Sequence, residues 1–141
     1  MEIKRNRVQK KLWLSQQRYI NKVLERFNKQ NSKPVTCPLN AQFKLSSKMS
    51  NVSSLEVTKM EQVPYASAVG SLMYAMLCTR PDFCFVVGMV SRYQKNLGQG
   101  YWTAVKHIMK YLKRTKDYML VYQADSLVPL GIQILNFSVG Q

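Results

Sequence analysis

The sequence predicts an α+β fold that is mostly helical, and three patterns within the 141 residues predict it. Apolar and polar residues alternate over residues 1–14, the period of a strand. Apolar stripes at helical spacing run through residues 15–28, 65–78, 81–95 and 101–114. Two short apolar runs, 118–122 and roughly 130–135, follow as strands. The expected architecture is an N-terminal β-hairpin, about four helices and short C-terminal strands.

In the hairpin, Met1 and Ile3 alternate on one arm and Leu12 and Leu14 on the other, with Asn6 to Lys10 as the polar turn. A two-stranded hairpin is marginal in water, so this one calls for more sheet, which the pattern suggests lies upstream. The helix over 15–28 starts from Ser15 as N-cap and buries Tyr19, Ile20, Val23, Leu24 and Phe27. It should fade before Pro34, because the residue preceding a proline avoids the α region. Residues 30–63 read mostly as loop, with a Ser-rich linker near 46–62 and a weak helical pattern near 54–61.

The helix over 65–78 is expected to bury Ala66, Val69, Leu72, Met73, Met76 and Leu77, with Gly70 marking close packing against a neighbour. The helix over 81–95 opens with Pro81, whose missing N–H costs nothing in a first turn. Asp82 beside it suits the positive end of a helix. The run FCFVVGMV is apolar nearly all round, so a central position is expected. In the helix over 101–114, Trp102, Val105, Ile108, Met109 and Leu112 share one face.

Composition narrows the function. A chain this long buries roughly two thirds of its unfolded surface when compact, and 46% apolar content supports a core. Lys and Arg number 21 against 7 acids, a net charge of +14. Such an excess attracts polyanions, nucleic acid first and an anionic membrane second. Cys37, Cys78 and Cys84 form neither a disulfide framework nor a zinc spacing, and read as buried, reduced thiols of an intracellular protein, cytoplasmic or nuclear and not secreted. No apolar run approaches the ~20 residues of a membrane-spanning helix.

Two basic stripes are the best candidate for a binding surface. Arg18, Lys22, Arg26 and Lys29 recur every three or four residues, and Lys106, Lys110, Lys113 and Arg114 do the same on the later helix. Cations at turn spacing can track a phosphate backbone, with RNA–DNA hybrid or duplex as the expected ligand. The alternative is a solvated face with no ligand. Arg80 can meet a phosphate or pair with Asp82. His107, the single histidine, lacks a nucleophile partner of recognisable motif. Cys78, Cys84, Met73, Met76, Met89 and Met109 read as core fillers. Trp13, Tyr19 and Tyr93 are rings of a kind that stacks on bases, with packing as the alternative.

The stretches LWLSQQRYINKVLERFNKQNSKPVTCPL (12–39), PYASAVGSLMYAMLCTRPD (64–82) and SRYQKNLGQGYWTAVKHIMKYLKRTKDYMLVY (91–122) resemble the Pol polyprotein of Copia-type long-terminal-repeat retrotransposons, where the reverse transcriptase joins RNase H. The resemblance implies that residues 1–14 are similar to the last hairpin of the polymerase palm, 15–115 to the thumb and connecting helices, and 116–141 to the beginning of RNase H. It implies a fragment of a reverse transcriptase that is not an enzyme on its own. The intact enzymes use Mg²⁺ held by clustered aspartates. Here the acids are Glu2, Glu25, Glu56, Glu61, Asp82, Asp117 and Asp125, with no two adjacent. The family's Tyr-Val-Asp-Asp motif would precede the hairpin, and Met1 resembles an internal methionine. The metal-binding strand of RNase H resembles GIQILNF, which places Ile134 where an aspartate belongs, with Asn136 beyond; hydrocarbon cannot ligate Mg²⁺. No catalytic residue, metal ligand or cofactor is therefore expected. The expected alternative to residual nucleic-acid binding is an interaction module that docks on an intact reverse transcriptase through exposed strand edges.

Overall fold

The computed structural model describes residues 1–39, 54–92, 98–125 and 128–136. The expected α+β fold is present. Strands β1 (Glu2–Asn6) and β2 (Lys11–Ser15) lead into helix α1 (Gln17–Arg26). Helices α2 (Ser54–Glu61) and α3 (Tyr65–Cys78) follow. A 3-10 turn at Pro81–Phe83 precedes α4 (Cys84–Ser91), then come α5 (Gln99–Arg114), β3 (Tyr118–Asp125) and β4 (Val128–Asn136).

The strands form one antiparallel sheet in the order β1-β2-β3-β4. The hairpin's further sheet thus comes from the C-terminal side, where Leu12 faces Tyr122 and Ser15 faces Met119. β1 and β4 form its two edges. In β4, Ile134 stands opposite Leu120.

The helices make the core. Ile20, Val23, Leu24 and Phe27 of the α1 region pack with Val69 and Leu72 of α3, with Phe83, Val86, Val87 and Val90 around α4, and with Val105, Ile108, Met109 and Leu112 of α5. Helices α1 and α5 bury the faces their sequences predict, apart from Tyr19 and Trp102, which are half-buried, because each carries charge on the opposite side. Tyr101, Ala104 and Tyr111 are buried as well. Their burial widens the α5 stripe.

Several expectations fail in α3 and α4. Tyr65, Ala68, Val69, Leu72 and Ala75 are the buried residues of α3, whereas Ala66 and Gly70 are exposed and Met73 and Leu77 are 37% and 75% exposed. Met76 and Met89 are half-buried, and Met109 alone of the four methionines is fully enclosed. In α4 one face is buried while Cys84 and Phe85 are exposed, so this helix is not central. Neither helix carries a charge, so periodicity had no polar face from which to orient it. A Cβ added at Gly70 would meet nothing within 4 Å, which removes the close approach expected there.

The thiols are not buried either: Cys37 and Cys84 are exposed and Cys78 is half-buried. Ser15 does not cap α1. β2 continues through Ser15, and Gln16 occupies the cap position without a side-chain cap bond. Of the expected Ser-rich linker, residues 54–61 form α2, while 46–53 lie outside the described residues, as does Tyr93.

Candidate nucleic-acid interface

α1 ends in a Schellman arrangement that positions the last residue of its basic stripe. Phe27 is the C-cap and Asn28 takes a left-handed φ of 55°. The Lys29 N–H then donates to the Leu24 carbonyl at 2.7 Å and the Asn28 N–H to that of Glu25 at 3.1 Å. Lys29 is half-buried there, within electrostatic reach of α5. Its pKa is pushed down by burial and, in addition, by the charges of Lys106 and Lys110. The two stripes, far apart in sequence, therefore come close enough for the charges of Lys106 and Lys110 to act on Lys29.

The segment after α1 is tied to the same helix. Lys113 Nζ donates to the Ser32 carbonyl at 2.6 Å, and His107 Nε2 donates to the Cys37 carbonyl at 2.9 Å. His107 is thus a structural link in this region. The other predicted cations stand apart from the cluster. Arg18 pairs with Glu2 of β1 at 2.9 Å, an exposed contact worth about 0–1 kcal/mol. Lys22 and Arg114 are exposed, and the exposed Arg26 guanidinium lies 5.4 Å from the Phe27 ring centre.

Arg80 is fully buried, and its charge is paired with Asp82. Its Nε and Nη2 donate to the two Asp82 carboxylate oxygens at 3.0 and 2.9 Å. Nη1 and Nη2 also reach the Thr115 carbonyl and hydroxyl. The rings of Phe83, Tyr111 and Tyr118 lie 5.2–5.7 Å from the guanidinium. The Tyr111 hydroxyl donates to Asp82 Oδ2 at 2.6 Å. Burial, then the Asp82 hydrogen bond and charge, pushes its pKa up. Tyr19, read as a stacking ring, instead donates to the Ser71 carbonyl at 3.1 Å and packs edge-on against Tyr74. Trp13 is half-buried in β2.

One cationic group escaped the sequence reading. Arg5, Arg7, Lys10 and Lys11 of the hairpin line a cleft together with Tyr122 of β3. The charge run KRNRVQKK was the available signal, but the strand that completes the cleft lies more than a hundred residues away in sequence. Among the described residues no group of three or more His, Cys, Asp or Glu side chains gathers to hold a metal ion. No helix among them is long and apolar enough to cross a membrane.

The chain is similar, along nearly its whole length, to segments of Pol polyproteins. It is 56% identical over 131 residues to the retrovirus-related Pol polyprotein from transposon TNT 1-94 of Nicotiana tabacum, a match covering 93% of this chain and 10% of that relative. It is 35% and 34% identical to the retrovirus-related Pol polyproteins from transposons RE1 and RE2 of Arabidopsis thaliana, covering 91% of this chain and 8% of each. No protein-family profile and no solved structure matches it. These homologues are retrovirus-related Pol polyproteins of plant transposons, and the chain spans about a tenth or less of each.

Proposed function

We propose that this chain is a segment of a Copia-type retrotransposon Pol, similar to the stretch that joins reverse transcriptase to RNase H, and that its own role is to hold nucleic acid rather than to copy or cut it. In that reading residues 1–14 end the palm, 15–115 are thumb and connection helices, and the strands from 116 onward lead towards RNase H inside the cell. The observation that carries it is the convergence of Lys29, Lys106 and Lys110, where burial and like charge disfavour the protonated amine. A phosphate brought between such amines relieves that repulsion, so a polyanion is the natural counterpart.

The test is a salt titration of binding to an RNA–DNA hybrid. Replacing Lys29, Lys106 and Lys110 with Gln should flatten the slope of log K against log salt by about 2 to 3. An unchanged slope, or no binding by the parent chain at low salt, overturns the reading.

A second reading rests on the outer side of α3. Ala66, Gly70, Met73 and Leu77 recur at helical spacing, are exposed, and carry no charge. We propose another segment of a Pol polyprotein as the partner covering this face. Retention of the chain by purified Pol, abolished by Leu77→Glu, supports it; retention unaffected by that change overturns it.

A further inference from the structure

We propose that the turn end of the sheet is a groove for single-stranded nucleic acid, in which Arg5, Arg7, Lys10 and Lys11 hold phosphodiesters and the Tyr122 ring receives a base. The inference rests on the nucleic-acid reading above but concerns a separate surface with a narrower ligand.

The register builds the groove. Arg5 stands opposite Leu12 in the β1–β2 pair, and Leu12 stands opposite Tyr122 in the β2–β3 pair, so the three occupy one face of the sheet. Arg7 and Lys10 belong to the connecting turn, and Lys11 begins β2. Together they line a cleft of about 670 Å³. The turn has a defined shape: the Gln9 N–H donates to Asn6 Oδ1 at 3.0 Å, and Lys10 holds a left-handed φ of 53°. The cations are therefore presented from a preorganised loop, which lowers the ordering cost of binding.

The electrostatics are one-sided. Among the described residues no carboxylate lines the cleft. The single acid of the hairpin, Glu2, is engaged by Arg18. Among the described residues none of the four cations forms an ion pair. Tyr122 supplies the second half of the site. It sits in an inner strand, flanked by β2 and β4, yet remains 37% exposed. An aromatic face left wet beside a row of cations is the combination that binds single strands, where phosphates track the charges and unstacked bases lie on the ring.

The shape selects among polyanions. A hairpin that reads a duplex inserts a convex ribbon into the major groove. Here the cationic surface is concave, which suits a strand entering it. An acidic peptide would meet the cations but would leave the ring uncovered.

The experiment compares labelled oligo(dT) with an abasic strand of equal length, which keeps the phosphates and lacks the bases. The Arg5→Ser, Arg7→Ser double variant should lower the salt slope for both strands by about 1.4, at ~0.7 per phosphate contact on a single strand. Tyr122→Leu should weaken oligo(dT) binding by about five-fold or more and leave the abasic strand unaffected, while Tyr122→Phe keeps the parent affinity. These positions are exposed or half-exposed, and an unchanged circular dichroism spectrum checks each fold. If the double variant and Tyr122→Leu bind oligo(dT) like the parent chain, the groove is refuted, while hybrid binding lost on replacing Lys29, Lys106 and Lys110 still upholds the broader reading. If the hairpin variants behave as expected and those lysine replacements change nothing, the groove stands and the helical interface falls. Displacement of oligo(dT) by polyglutamate as readily as by unlabelled strand would reassign the groove to an acidic protein and overturn the proposal.

Discussion

Arg80 donates to both the carbonyl and the hydroxyl of Thr115, at 2.9 and 2.6 Å, and so satisfies the end of α5 from the junction between α3 and α4. A cation at a helix C-terminus meets the negative end of the backbone dipole. The same guanidinium is neutralised by Asp82 and enclosed by three rings, and each of its three nitrogens donates to a group within the protein. Removing it leaves the partly exposed Asp82 carboxylate without its cation and the end of α5 without its donors. Arg80→Met should destabilise the chain by about 1.5–3 kcal/mol through the lost charge-assisted hydrogen bonds, and Arg80→Lys should rescue little, since an ammonium cannot span both partners. Urea unfolding followed by circular dichroism measures both, and a loss below about 1 kcal/mol for Arg80→Met contradicts this account.

Asn28 holds the left-handed position that closes α1. Glycine takes that conformation freely, whereas a β-branched residue resists it. Asn28→Gly should match or slightly exceed the parent stability, and Asn28→Val should lose about 1–2 kcal/mol. The pair compared at one urea midpoint series isolates the backbone effect.

Gly70 lies exposed within α3, and a side chain there would meet nothing within 4 Å. Gly70→Ala should therefore stabilise the free chain by up to about 1 kcal/mol through helix propensity alone. A thermal melt showing a loss instead would reveal a close neighbour on this face.

Lys29 has its pKa lowered in the folded chain, by burial first and then by Lys106 and Lys110. The unfolded state therefore holds that proton more tightly. Stability should rise with pH between the lowered value and the ordinary lysine value of about 10.4, and the penalty is fully present below that window. Lys29→Met should remove this slope in a pH series of unfolding midpoints. A slope equal to the parent's would show that Lys29 is not its source.

Tyr65 and Tyr111 act with the opposite sign. Both phenols are pushed up, in each case chiefly by burial. The folded chain keeps protons that the unfolded chain releases, so this contribution is fully present below the ordinary phenol value of about 10 and is lost as pH climbs above it. Tyr111→Phe should flatten the alkaline loss, read as the same midpoint series carried above pH 10.

The hairpin, α1 and α5 were legible because their polar and apolar residues segregate cleanly. Asn28 was a readable C-terminal signal, although Pro34 drew attention further along. The faces of α3 and α4 were not legible, because a helix such as YASAVGSLMYAMLC has no charge to mark its outside. Of the two basic stripes, spacing alone indicated the residues but not that Lys29 would come within electrostatic reach of Lys106 and Lys110 while Arg18 turned to Glu2. The cleft at the hairpin depended on Tyr122 arriving beside Leu12, a pairing that no local pattern contains.

That pairing also orders how the molecule assembles. β2 and β3 are neighbours in the sheet with the entire helical region between them in sequence. Closing so long a loop is entropically unfavourable until the intervening chain is already compact. The helices must therefore gather first and bring Met119 within reach of Ser15. Amides at the β2–β3 seam should gain protection from hydrogen exchange after those of α5, and a lesion in the helical core should open the seam even where no strand residue has changed.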